Sequence, residues 1–210
     1  DQFKMKSEYI RYRLRDRDID ITSMKKLIFD VREFVNINNI KLDDRNQGML
    51  EFLQTNFVGF LSERDSLLIL RNIDPNSDFR YFKLDISEEE FLDYYRIDGP
   101  CYNSNKIVVS EGIFDVLVEN MNDSLKIRNS VSSYFATLSG SFQSLLKSVA
   151  FHEQIFRQHV IILSHADIDL EVYKKLYKYN SHIIDRLNVY YNSCGKDFGE
   201  SKVSPVRVEV

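Results

Sequence analysis

"KIVVSEGIFDVLVEN", residues 106–120, is the stretch on which the fold turns. Ile107, Val108 and Val109 make a short unbroken aliphatic run, as in a strand covered on both faces. The run ends on Ser110, Glu111 and Gly112, and a second acid, Asp115, follows one helical turn after Glu111. The pattern predicts a strand over 106–110 and a helix from about Gly112. A glycine there lets backbone approach closely or lets the helix begin tightly. Asp115 either points back toward Glu111 or is a first-turn acid favoured by the helix dipole.

Downstream the same alternation continues. "SYFATL" reads as a strand, and a helix beginning near Ser141 carries Phe142, Leu145, Leu146 and Val149 on one face. Strand "HVIILS" precedes a helix with Leu170, Tyr173, Leu176 and Tyr177, and strand "RLNVYY" follows. Alternating β and α elements of this length predict a mainly parallel sheet covered on both faces.

Upstream the pattern is mixed. "YIRYRLRDRDIDI" alternates apolar and charged residues and reads as extended, with Arg11, Arg13, Arg15 and Arg17 on one side. In "TSMKKLIFDVREFV" the spacing of Met24, Leu27, Ile28, Val31, Phe34 and Val35 predicts a helix capped by Thr22 or Ser23. "KLDDRNQGML" reads as a loop, and "FVGFLSERDSLLILRNID" as a hairpin. Ser87 and Glu90 form a capping box that predicts a helix over "SEEEFLDYY". Gly, Pro, Asn and Ser cluster over 98–105, which places the boundary there. The expected organisation is a smaller mixed α+β subdomain, 1–100, and an α/β domain, 101–210.

Composition narrows the function classes. The chain has 210 residues, 43% of them hydrophobic, and a net charge of −4. A core is affordable at that size, and any nucleic-acid surface must be local. Cys101 and Cys194 match no metal or redox spacing, which fits a reducing compartment. No apolar run approaches the ~20 residues that span a bilayer, and no signal segment opens the chain, so a cytoplasmic protein is expected. Opening on Asp1 suggests a processed chain or a piece of a longer one.

In a parallel sheet, ligands collect at the carboxyl ends of the strands. Glu111 ends one strand, His165, Asp167 and Asp169 follow "HVIILS", and Asp197 in "GKDFGE" follows "NVYY". Carboxylates gathered at one rim repel unless a cation sits among them, and hard oxygen donors suit Mg²⁺ or Mn²⁺.

These residues resemble a known family. "IVVSEGIFDVL" looks like the first motif of the Toprim domain, an apolar strand followed by Glu-Gly-x-x-Asp, and "HVIILSHADID" resembles its second, ending in Asp-x-Asp. "GKDFGE" is similar to the acidic motif after the last strand in bacterial and phage primases. "ATLSGS" sits like their small-residue loop, and "LILRNIDPNSDFRYFKLD" is similar to their strand-Arg-turn-basic-Tyr segment. The likeness is to the RNA-polymerase core of DnaG-type primases, phage versions especially, over roughly residues 50–200.

The resemblance implies template-directed synthesis of short RNA primers by metal-dependent nucleotidyl transfer. Glu111 and Asp167 would be catalytic. Glu111, Asp115, His165, Asp167, Asp169 and Asp197 would be candidate ligands for Mg²⁺ or Mn²⁺. Arg71, Arg80, Tyr81 and Lys196 would meet nucleotide or template. Implied partners are single-stranded DNA, ribonucleoside triphosphates and a replicative helicase, in the host cytoplasm if the chain is phage-encoded. One departure stands out. Aligned on its strand, the first Asp of Asp-x-Asp falls on His165. Sliding two residues makes Asp167 and Asp169 the pair but lengthens the loop. Two further readings remain: a Toprim nuclease, and a degenerate Toprim module that binds nucleic acid or a replication partner without catalysis.

Overall fold

The computed structural model describes residues 2–16, 19, 24–138 and 141–210. The chain is mixed α/β, with one purely antiparallel sheet and one sheet of parallel and antiparallel strands. It divides into two compact units, one running to Glu89 and the other from Glu90 to Val210, the latter also taking in Ile19. Among the described residues no helix is long and apolar enough to cross a membrane.

The first unit contains helix α1 (Gln2–Arg15), strand β1 (Leu27–Ile28), helices α2 (Val31–Ile37) and α3 (Asp44–Asn56), and strands β2 (Phe57–Leu61), β3 (Leu67–Asn72) and β4 (Tyr81–Asp85). Its four strands pair antiparallel in the order β1-β2-β3-β4. The 57–72 hairpin is as expected. Val31, Val35, Leu50, Leu53, Phe57, Leu68, Leu70 and Leu84 form its core.

Four expectations fail in or beside this unit. Residues 9–15 are helical, not extended, because Lys6, Ile10 and Leu14 recur every four residues and bury one face. Lys6 gives its ammonium to the carbonyls of Phe29 and Gln54, each at 2.7 Å. The arginines of α1 therefore wind around a helix and form no one-sided ridge; Arg17 lies outside the described residues. The helix expected from Met24 begins only at Val31. Lys26 stands at φ 52°, Leu27 and Ile28 pair with β2, and Asp30 is the cap, accepting from Glu33 N–H at 2.8 Å. Thr22 and Ser23 lie outside the described residues. The supposed loop at 41–50 is mostly α3, which starts after Asp43 accepts from Asn46 N–H at 2.7 Å. No helix forms over 87–94. That segment straddles the division between units, and its residues serve long-range partners: Glu89 pairs with Arg64 at 2.7 Å and Tyr94 donates to Glu153 Oε1 at 2.7 Å.

The second unit contains strands β5 (Tyr95–Asp98) and β6 (Lys106–Ser110), helix α4 (Ile113–Asn122), strand β7 (Val131–Ala136), helix α5 (Phe142–Glu153), strand β8 (Gln158–Ser164), helix α6 (Leu170–Tyr179), and strands β9 (Ile184–Asn192) and β10 (Pro205–Val208). The sheet order is β10-β9-β8-β6-β7-β5. The inner four strands are parallel, and β5 and β10 close the two edges antiparallel. Those edge strands carry no long apolar run and are not expected from the sequence. β5 precedes the 98–105 cluster yet pairs with β7, so the second unit begins upstream of that cluster.

Alternate side chains point to opposite faces. Ile107, Val109, Val160, Ile162, Leu187 and Val189 face α5 and α6, contributing to a core with Leu145, Leu146, Val149, Tyr173 and Leu176. The intervening residues, Val108 and Ser110 among them, face the side on which α4 packs against β5, β6 and β7. The chain moves from β6 to β7, then crosses back over β6 to β8 and on to β9. The reversal leaves a crevice between the carboxyl ends of β6 and β8, the usual ligand position in such sheets.

Candidate functional site

Glu111 follows β6 and His165 follows β8, one on each side of that crevice. His165 Nε2 lies 3.0 Å from Glu111 Oε2. A carboxylate only accepts, so the imidazole donates from Nε2. The other ring nitrogen, Nδ1, is buried and has no hydrogen-bond partner among the described residues. Glu111 itself is exposed.

One helical turn after Glu111, Asp115 is buried, while Asp197 is half-buried. The Asp115 side chain turns inward, where Oδ2 accepts from Ser110 Oγ at 2.5 Å and from Gly112 N–H at 3.2 Å. Its Oδ1 accepts from Gly199 N–H at 2.8 Å, and that same N–H reaches Asp197 Oδ1 at 2.9 Å. Two carboxylates from separate strand ends thus converge on one amide. Burial pushes the Asp115 carboxyl up to about 6; the Ser110 hydroxyl opposes the shift, Asp197 adds to it, and the Gly199 and Gly112 amides oppose it. Both glycines serve close approach: a Cβ on Gly112 would stand 2.8 Å from Asp115 Oδ2, and one on Gly199 3.1 Å from the Phe114 Cβ.

The sequence gives no obvious sign of Asn192, yet it organises the third strand end. Fully buried, it donates to the carbonyls of Asp197 and Lys202 at 2.8 and 2.9 Å. Its oxygen accepts from Cys194 and Ser204 N–H at 3.1 and 2.8 Å. All four hydrogen bonds of the amide are used. The only hint in the sequence is an asparagine closing an apolar strand before a glycine-containing loop. The loops after β8 and β9 are also tied together, Ala166 N–H donating to the Lys196 carbonyl at 3.0 Å. Tyr173 donates to Ser164 Oγ at 2.7 Å, and burial raises its phenol, with Glu111, Asp167 and Asp169 contributing in the same direction.

The other expected residues are less gathered. Asp167 is exposed in the loop after β8. Asp169 caps α6, accepting from Glu171 N–H at 3.1 Å. Lys196 is exposed. In the first unit, Arg71 and Tyr81 are cross-strand neighbours with the guanidinium 4.4 Å from the ring centroid, and Arg80 is exposed beside them.

No protein-family model matches the chain, and no curated protein matches it. Among the described residues no group of three or more His, Cys, Asp or Glu side chains is gathered to hold a metal ion. The acids instead stand as two pairs, Glu111 with His165 and Asp115 with Asp197. In chemistry the donor set fits a divalent cation: hard carboxylate oxygens, two of them sharing one N–H, and an unpartnered imidazole nitrogen.

Proposed function

We propose that the second unit is a Toprim-type catalytic domain and that the chain acts as a phage-type DNA primase core. In this reading it joins ribonucleotides on a single-stranded DNA template. The observation that carries the reading is the meeting of Glu111 and His165 at 3.0 Å across the crevice, together with the sharing of the Gly199 N–H by Asp115 and Asp197. Glu111 and His165 meet where the crossover direction reverses, and Asp115 and Asp197, distant in sequence, meet on one amide.

Mg²⁺ or Mn²⁺, once bound, would neutralise charge on the phosphates and the attacking oxygen. Glu111, Asp115 and Asp197 are the residues to hold it, with His165, Asp167 and Asp169 around them. Glu111, exposed and hydrogen-bonded to an imidazole, would take a proton from a 3′-hydroxyl. Gly112 and Gly199 hold the Asp115 carboxylate rigidly through backbone N–H groups, which lowers the cost of its anionic form. Lys196 would contact phosphate beside the acids of the second unit, and Arg71, Arg80 and Tyr81 would contact nucleic acid on the first unit.

A second reading draws on His165. Where the family's motif has a carboxylate, an imidazole occupies Glu111 directly, which favours a module that binds nucleic acid without catalysis. Incubation with single-stranded DNA, labelled ribonucleoside triphosphates and Mn²⁺ or Mg²⁺ separates the two. Short RNA products, absent in Glu111→Ala, are expected. DNA binding with no RNA under either metal would leave the non-catalytic reading.

A further inference from the structure

The opposite end of the same strands carries a feature the proposed chemistry does not use. Lys106 opens β6, and the register places it beside His159 of β8, which in turn lies beside Arg186 of β9. Three basic residue types therefore stand in a row across three adjacent strands, on one face of the sheet. Arg207 of β10 is on the same face but farther along the strands, opposite Tyr190, which the register places beside Leu163 and so level with Ser110. Strands lie ~4.8 Å apart, so Lys106 and Arg186 are about 10 Å apart at the backbone.

The row is short of counter-charge. Among the described residues neither Lys106 nor Arg186 is paired with a carboxylate; Lys106 Nζ reaches only Ser130 Oγ, at 3.3 Å. Arg207 meets Glu209 at 3.5 Å, an exposed contact of little energetic weight. His159 Nε2 accepts from Asn188 Nδ2 at 2.9 Å, which makes the ring the neutral Nδ1–H tautomer. Burial pushes the His159 imidazole down to about 4, and Arg186, Lys106 and Arg207 push the same way against Asp185 alone. On a chain of net charge −4, cations this crowded make a local positive field.

We propose that Lys106 and Arg186, with Arg207 farther along the same face, form a docking surface for the phosphate backbone of a nucleic-acid strand, running from the amino ends of the strands toward the crevice. Guanidinium forks match phosphate oxygens two at a time, and the strands hold the row rigid. Five residues separate Lys106 from Glu111, about 17 Å at ~3.3 Å per residue, or roughly five stacked nucleotides. One strand can therefore touch both ends of the sheet. The choice of nucleic acid over an acidic peptide rests on the proposed function; the basic row itself does not.

The test is fluorescence anisotropy of a labelled single-stranded oligonucleotide in EDTA across a salt series, so that no metal-dependent step contributes. Lys106→Gln, Arg186→Gln and Arg207→Gln together should flatten the slope of log K against log salt by about 2, at ~0.7 per phosphate. Arg186→Gln and Arg207→Gln singly change exposed side chains and should each remove about 0.7 with unfolding temperature unaltered. Bound DNA should also raise the titration midpoint of the His159 ring in NMR spectra, because phosphates offset Lys106, Arg186 and Arg207. An unchanged slope in the triple variant overturns the inference and leaves the acidic site untouched. So does an acidic peptide that outcompetes the DNA. Loss of slope in a protein that makes no RNA sustains the surface and removes the primase reading instead.

Discussion

At the carboxyl ends of β6, β8 and β9 stand Glu111, His165 and Asp197; toward their amino ends stand Lys106, His159 and Arg186. The same strands thus hold acids at one end and bases at the other. At each end one titratable group is displaced. Asp115 is raised to about 6 and His159 lowered to about 4, in both cases by burial first and by like-charged neighbours after it. The difference lies in what else surrounds them. Asp115 is met by three hydrogen-bond donors aimed at its oxygens, whereas His159 faces cations that have few partners. In the proposed reading the acidic end holds charge in a fixed geometry for chemistry, and the basic end offers charge to a nucleic-acid strand.

The comparison breaks most decisively at Glu111. Its side chain is 54% exposed, so Glu111→Ala should leave thermal unfolding unchanged while primer synthesis falls by about 10²–10⁴-fold. An equal loss from Arg186→Gln would erase the distinction between the two ends. Next in size is Asn192→Ala, which strands two carbonyls and two N–H groups in the loop bearing Asp197. Urea unfolding should show a loss of about 3 kcal/mol, and the divalent-metal requirement should rise with it.

Glu119, one turn beyond Asp115 on α4, sharpens the comparison as a buried acid outside the crevice. Burial pushes it up from 4.5 to about 7, against hydrogen bonds from Ser124 and Leu125. A folded value above the unfolded one means that stability present below pH 4.5 is lost as pH rises through 7. Glu119→Gln should flatten that decline, by up to about 3 kcal/mol between pH 4.5 and 8 in urea titrations. Mg²⁺ should leave the Glu119 effect untouched. His165→Asp comes next: it replaces a hydrogen bond with a second carboxylate facing Glu111. Calorimetry should show Mg²⁺ binding tightened about tenfold, with preference moving from Mn²⁺ toward Mg²⁺. The smallest effect belongs to Arg80→Ala, which should lower the salt slope of single-strand binding by about 0.7.

Legibility in the sequence followed burial. β6 and β8 are covered on both faces, so each reads as an unbroken apolar run and each strand end can be counted off. Glu111, Asp115 and Asp197 were therefore readable as strand-end or first-turn acids. In the first unit the elements are short and half-exposed, and caps such as Asp30 and Asp43 look like loop residues until their partners are known. Alternation in Ile10, Tyr12 and Leu14 reads as a strand, and the helix shows only in the four-residue spacing of Lys6, Ile10 and Leu14, where Lys6 reaches two distant carbonyls. Asn192, Gly199 and Ser110 escaped notice because their roles exist only once β6 and β9 stand in one sheet. The basic row is hidden for the same reason: Lys106, His159 and Arg186 are far apart until the register aligns them.

The most direct measurement is paramagnetic broadening of amide resonances during an Mn²⁺ titration with nucleic acid present. The amides of Gly112, Ala166 and Gly199, which border the acids, should broaden first, and those of Lys106, His159 and Arg186 should stay sharp. Broadening centred elsewhere, or none at millimolar Mn²⁺, would contradict a cation-dependent site at the carboxyl end of the sheet.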